Sequence, residues 1–129
     1  MEPKSPALAR RRAPGLDRGG LMRLRDKVAI VTGAARGIGL AVARRFVQEG
    51  AQVALADWLA DEVRDAASTL GAAAHAVPTD VGDSAQVNRL VASTVERFGR
   101  LDCLIANAAV QAEIPFLDLT EAEFDRVIR

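Results

Sequence analysis

No tyrosine occurs in this chain, so it holds no phenolic acid–base group. Aromatic residues are scarce altogether, with four phenylalanines and one tryptophan. The lysines are Lys4 and Lys27, both close to the start. A single cysteine, Cys103, excludes an internal disulfide and fits a reducing, cytoplasmic setting. The one histidine, His75, has no His or Cys partner nearby in sequence, so no metal site is expected. No apolar run approaches the ~20 residues that span a membrane, and none near the start has the length of a secretory signal. The formal net charge is zero, which gives no pull toward nucleic acid. What is present is an apolar half, 50% of the residues, enough to build one core in a single domain of 129 residues.

The charge is unevenly spread. Residues 1–27 carry eight Lys/Arg against three Asp/Glu, and residues 28–129 carry nine against fourteen. The basic excess sits in residues 1–21, with Pro3, Pro6, Pro14, the run Arg10-Arg11-Arg12 and the pair Gly19-Gly20. This composition reads as a disordered tail. Organelle targeting and an RNA-binding arm are two readings of its arginines; a short solvated extension, dependent on start-site choice, is the favoured third. Met22 stands just before Arg23-Leu24-Arg25-Asp26-Lys27, so residues 22–129 are expected to form the folded unit.

The chain is organised around Lys27 to Gly39. Val28 to Val31 is a short apolar run rich in β-branched residues, which suits a buried parallel strand. Gly33, Gly37 and Gly39 follow, and then Ile38, Val42 and Phe46 recur at helical spacing. Strand, glycine turn and helix together form an architecture that binds a nucleotide's phosphates; the alternative, a glycine-rich structural turn, is disfavoured by the flanking strand and helix. Gly33 lets the chain turn off the strand. Gly37 removes a side chain where a pyrophosphate would approach. Gly39 lets the helix start lie against the strand. Amides of the first helical turn then face the phosphates.

Alternating patterns continue. A helix is expected over Ile38 to Glu49, stopped by Gly50. A strand follows over Gln52 to Ala56. A second helix carries Leu59, Val63, Ala66, Ala67 and Leu70, and closes at Gly71. A weak third strand covers Ala73 to Val77. Asp83 and Gln86 form a capping box for a third helix whose apolar face is Val87, Leu90, Val91, Val95 and Phe98. The fourth strand is Leu101 to Ala106, with Cys103 in its apolar core. After a loop with Pro115, Thr120 and Glu123 cap a fourth helix over Leu119 to Arg129. Such alternation predicts parallel βαβ units in a Rossmann-like, doubly wound α/β sheet of order 3-2-1-4, ending after the fourth strand and the start of the fourth helix.

Asp57 ends the second strand, eighteen residues after Gly39. A carboxylate there can accept both adenosine ribose hydroxyls, and it repels a 2′-phosphate, so it favours NAD over NADP. Arg36 argues the other way, because a guanidinium in the turn can pair with that phosphate. Asp57 outweighs it by occupying the phosphate's own space; the alternative for Asp57 is a solvated turn residue. Trp58 is either a wall of an adenine pocket or a half-exposed packing residue.

The spacing in Thr32-Gly33-Ala34-Ala35-Arg36-Gly37-Ile38-Gly39 resembles the short-chain dehydrogenase/reductase family, and the resemblance extends over residues 24–129. It implies that Asp80-Val81 borders the adenine ring; the alternative is an ordinary loop aspartate ahead of the Asp83 cap. It also implies that Asn107 and Ala108 line the adenosine ribose edge. The family's Asn-Asn-Ala-Gly reads here as Ala106-Asn107-Ala108-Ala109, so Ala109 tightens the cofactor approach and Ala106 lacks an amide. Cofactor residues implied or read directly are thus Gly33, Arg36, Gly37, Ile38, Gly39, Asp57, Trp58, Asp80, Val81, Asn107, Ala108 and Ala109. Family members transfer hydride between NAD(P) and an alcohol or carbonyl, through a later Tyr-x-x-x-Lys pair. That pair is absent here, so no catalytic residue is assigned. The resemblance also implies a homo-oligomer for the full-length form; charge and run length give no expectation of a nucleic-acid or membrane partner. Two readings result: the cofactor-binding part of an NAD-dependent short-chain oxidoreductase, or a non-catalytic half-domain that binds a nucleotide or a partner.

Overall fold

The computed structural model describes residues 22–111 and 113–128. The basic tail, residues 1–21, lies outside them. The elements follow the expected alternation: β1 (Val28–Thr32), α1 (Gly37–Gln48), β2 (Gln52–Asp57), α2 (Ala60–Leu70), β3 (Ala74–Pro78), α3 (Ser84–Phe98), β4 (Cys103–Ile105), a short 3-10 turn (Phe116–Asp118) and α4 (Glu121–Ile128). The four strands are parallel and ordered β3-β2-β1-β4, the order the crossover rule predicts. Val28 stands opposite Gln52, Val53 opposite Ala74, and Ala29 opposite Cys103.

Strand alternation divides the core in two. Val31, Val53 and Leu55 join Ala43 of α1 and Val63, Ala66 and Ala67 of α2 on one face. Ile30, Ala54 and Ala56 meet Leu90 of α3 on the other. Both faces of β1 and β2 are therefore covered, which is why these strands read as continuous apolar runs.

Several expectations are corrected. Ile38 does not share the core face with Val42 and Phe46; it is 75% exposed. The helix instead presses Gly39 and Ala43 against the sheet, because small residues four apart allow the closest approach. In α3, Leu90 and Thr94 are buried, while Val91 and Val95 are exposed, because their stripe lies past the line of contact with the sheet. β4 is only three residues long. Ahead of it, the Asp102 carboxylate accepts the Val28 N–H at 2.9 Å in place of a strand carbonyl. Cys103 is half-buried rather than enclosed, since among the described residues β4 pairs with β1 alone. The loop after β4 contains the 3-10 turn that the sequence pattern did not signal.

Caps hold the helices. The Asp83 carboxylate accepts the amides of Ala85 and Gln86, at 2.8 and 3.3 Å, and opens α3. Gln86 departs from the expected box: its side-chain carbonyl takes the Asp80 N–H at 2.9 Å. Thr120 and Glu123 form the reciprocal box at α4.

Candidate functional site

Parallel strands send all their C-terminal ends to one rim, and every residue singled out by the sequence follows such an end. The turn Gly33–Gly39 follows β1, Asp57 and Trp58 end or follow β2, Asp80 and Val81 follow β3, and Asn107 to Ala109 follow β4.

At the centre, β1 and β4 are tied into one corner. Thr32 is 7% exposed, and its hydroxyl accepts the amides of Asn107 and Ala108, at 3.1 and 3.0 Å, while donating to the Ile105 carbonyl at 3.4 Å. The Asn107 amide donates to the carbonyls of Thr32 and Gly33, at 3.1 and 3.3 Å. Gly33 turns here with φ 65°, and a β-carbon on it would sit 2.9 Å from the Ala108 Cα. A β-carbon on Gly39 would collide with the Gly33 carbonyl oxygen. Neither position admits a side chain. Thr32 was not singled out as a site residue. Its signal was a hydroxyl at a strand end beside a glycine, a residue type that bonds to nearby backbone.

The outer part of the turn is different. Apart from its chain neighbours and the backbone of its own helix, no described atom stands within 4 Å of where a Gly37 β-carbon would point. Arg36 precedes α1 without a side-chain cap bond, and the first turn holds no acidic residue. Leu40 is the first helical amide bonded back, to the Arg36 carbonyl. The positive end of α1 thus opens on free space with uncommitted amides, which fits a phosphate group. Arg36 is exposed and, among the described residues, forms no ion pair.

Asp57 closes one side of this space. Its Oδ2 accepts the Ala35 N–H and its Oδ1 the Leu59 N–H, both at 3.1 Å. Trp58 beside it is 59% exposed. Asp80 is more local: its Oδ1 accepts the Gly82 N–H at 2.8 Å, as a loop aspartate does. Val81 is 45% exposed next to it. Ala108 is half-buried and Ala109 exposed. The structure joins Gly33, Gly39, Asn107 and Ala108 by contact, and joins Asp57 to the turn. Trp58, Asp80 and Val81 share the rim without such a bond.

His75 and Cys103 lie away from the rim. His75 Nε2 is 2.9 Å from the Ser93 Oγ, and its ring meets Phe98 edge-on. Burial, then the nearby Arg97, lowers its pKa below the usual histidine value. Among the described residues no group of three or more His, Cys, Asp or Glu is placed to hold a metal ion, and no helix is long and apolar enough to cross a membrane.

The family sequence model of the short chain dehydrogenases matches residues 27–129. The chain belongs to the short-chain dehydrogenase family. It is 43% identical over 106 residues to a sorbitol dehydrogenase of Cereibacter sphaeroides and 45% identical over 106 residues to a galactitol 2-dehydrogenase of Agrobacterium fabrum. Each alignment covers 82% of this chain and 41% of the relative, so the chain spans about two-fifths of the length of these dehydrogenases. Among solved structures it resembles a 3-ketoacyl-(acyl-carrier-protein) reductase from Brucella melitensis complexed with NADH, with a TM-score of 0.80 and 34% identity over 81% of this chain and 44% of that one. A short chain dehydrogenase from Mycobacterium smegmatis gives a TM-score of 0.78 and 38% identity, over 84% and 47% of the two chains. The family is one of nicotinamide-dinucleotide oxidoreductases.

Proposed function

We propose that residues 22–129 are the adenosine- and pyrophosphate-binding part of an NAD(H)-dependent dehydrogenase that moves hydride to or from an alcohol or carbonyl. The observation that carries this reading is the open, uncapped start of α1, with Gly37 facing free space and Asp57 beside it. The pyrophosphate is assigned to the amides around Gly37, Ile38 and Gly39. The adenosine ribose is assigned to Asp57, with Asn107, Ala108 and Ala109 along its edge. The adenine is assigned to the space between Trp58 and Val81, next to Asp80. The nicotinamide supplies the hydride chemistry when it is bound; these residues bind and orient its carrier.

NAD is favoured over NADP, because the Asp57 carboxylate stands where a 2′-phosphate would go and repels it. Arg36 is the opposing influence. The reaction itself is assigned to residues beyond this chain, since no tyrosine is present to act at a substrate oxygen. The chain of 129 residues is therefore expected to bind nucleotide without turnover. The dehydrogenase as a whole is proposed to be cytoplasmic and homo-oligomeric.

Calorimetric titration of NAD into the chain and into Gly37→Ala tests this. Gly37 has φ 59°, so alanine there costs roughly 1–2 kcal/mol of backbone strain. The added methyl would meet open space, so a cooperative melt is retained. The added methyl enters the proposed phosphate space and weakens NAD at least about tenfold. Equal binding by both chains removes the phosphate from this turn.

A further inference from the structure

The bond between Asp57 and Ala35 has a role of its own. Leu59 N–H fixes one carboxylate oxygen from two residues away, and the other oxygen reaches back across the sheet to Ala35. Ala35 is 6% exposed, so its amide has no ready solvent substitute. The near end of the turn is held by Asn107 on Gly33 and by the Ala34 N–H on the Ala56 carbonyl, at 3.1 Å. Past Ala35, Arg36 makes no side-chain cap bond, and a β-carbon on Gly37 would meet open space. Asp57 is thus the last fixed point before the part of the turn that would meet a phosphate. A carboxylate is a strong acceptor for such a bond, and removing it leaves a buried donor unpaired.

We infer that Asp57 is a positioning residue of the glycine turn, presetting the amides of Arg36 to Gly39 for a pyrophosphate independently of any contact it makes with a ribose. This rests on the nucleotide reading of the same site. It changes what substitution at Asp57 does: losing the carboxylate relieves repulsion of a 2′-phosphate and loosens the phosphate site at once, so NAD affinity falls without a matching gain for NADP.

The probe is 2′,3′-dideoxy-ADP, which keeps adenine and pyrophosphate but offers no ribose hydroxyl to a carboxylate. Its binding is compared in the unmodified chain, Asp57→Ala and Asp57→Asn, alongside amide hydrogen exchange with no nucleotide present. Positioning predicts that Asp57→Ala weakens the probe about tenfold, the scale of one unpaired buried donor. It also predicts faster exchange at Ala35 and the α1 start, unchanged exchange in α3, and partial recovery of both readouts in Asp57→Asn, whose carbonyl still accepts. Unchanged probe affinity in Asp57→Ala overturns the inference, whether or not exchange rises. If neither ADP nor the probe binds the unmodified chain, the nucleotide reading fails on its own. The inference then falls with it, and the exchange data report only whether the Asp57 bond orders the turn.

Discussion

β2 and β4 are both apolar strands beside β1, yet they end in opposite states. Every residue from Val53 to Ala56 is fully buried, between α1 and α2 on one face and α3 on the other. In β4, Leu104 is 59% exposed and neither neighbour is buried. The helix after it, α4, has no buried residue, and Phe124, Val127 and Ile128 are each exposed. Composition does not separate the two regions; cover does. An apolar strand becomes core only when strands flank it and helices lie on its faces. The exposed surface around β4 is accordingly an apolar edge of the kind that pairs with other chains.

Two matched leucines make the contrast measurable. Leu55→Ala removes a side chain with no exposure and is expected to destabilise the chain by about 2–5 kcal/mol. Leu104→Ala, at 59% exposure, is expected to cost under about 1 kcal/mol. Denaturant melts of both variants check this, and equal losses would show that β4 is sealed. The same exposure predicts self-association of the 129-residue chain through β4. Sedimentation velocity is expected to show dimers or larger species that Leu104→Lys shifts toward monomer. A monomeric unmodified chain with a cooperative melt above about 55 °C would show the half-fold to be self-sufficient and favour the non-catalytic binding module.

A smaller effect lies on the far edge, at β3. The folded pKa of His75 is lowered, so the unfolded chain takes up the proton first. Its contribution is fully present above the unfolded value, about 6.5. It is lost as the pH falls from there through the lower folded value. Stability is therefore expected to decline modestly between pH 7 and the folded value, and His75→Gln to flatten that part of the profile. A decline unchanged by His75→Gln would move the effect to other groups.

Much of the fold was legible because its signals are local. Gly50, Gly71 and Gly99 mark helix ends, Asp83 and Thr120 mark starts, and alternation with the crossover rule fixes the strand order. The outward turn of Ile38, Val91 and Val95 was not legible. Helical spacing defines a stripe but not which neighbour covers it. The rim positions of the candidate site were readable for the same reason as the strand order, since they follow strand ends. The ties among them were less so. Ala35 meets Asp57 through a backbone amide, which every residue except proline carries, so its side chain gives no sign of it. The Gln86 carbonyl bonds the Asp80 amide rather than that of the cap residue Asp83, a choice that the capping-box spacing does not signal.

The central claim concerns the rim at β2, where Asp57 and Arg36 are proposed to make opposite demands on an adenosine ribose. Calorimetric titration of NAD and NADP into the unmodified chain compares them directly. The account predicts tighter binding of NAD by about tenfold or more, equivalent to about 1.4 kcal/mol, with the gap narrowed in Asp57→Ala. Tighter binding of NADP by the unmodified chain would contradict it and make Arg36 the residue that chooses the cofactor.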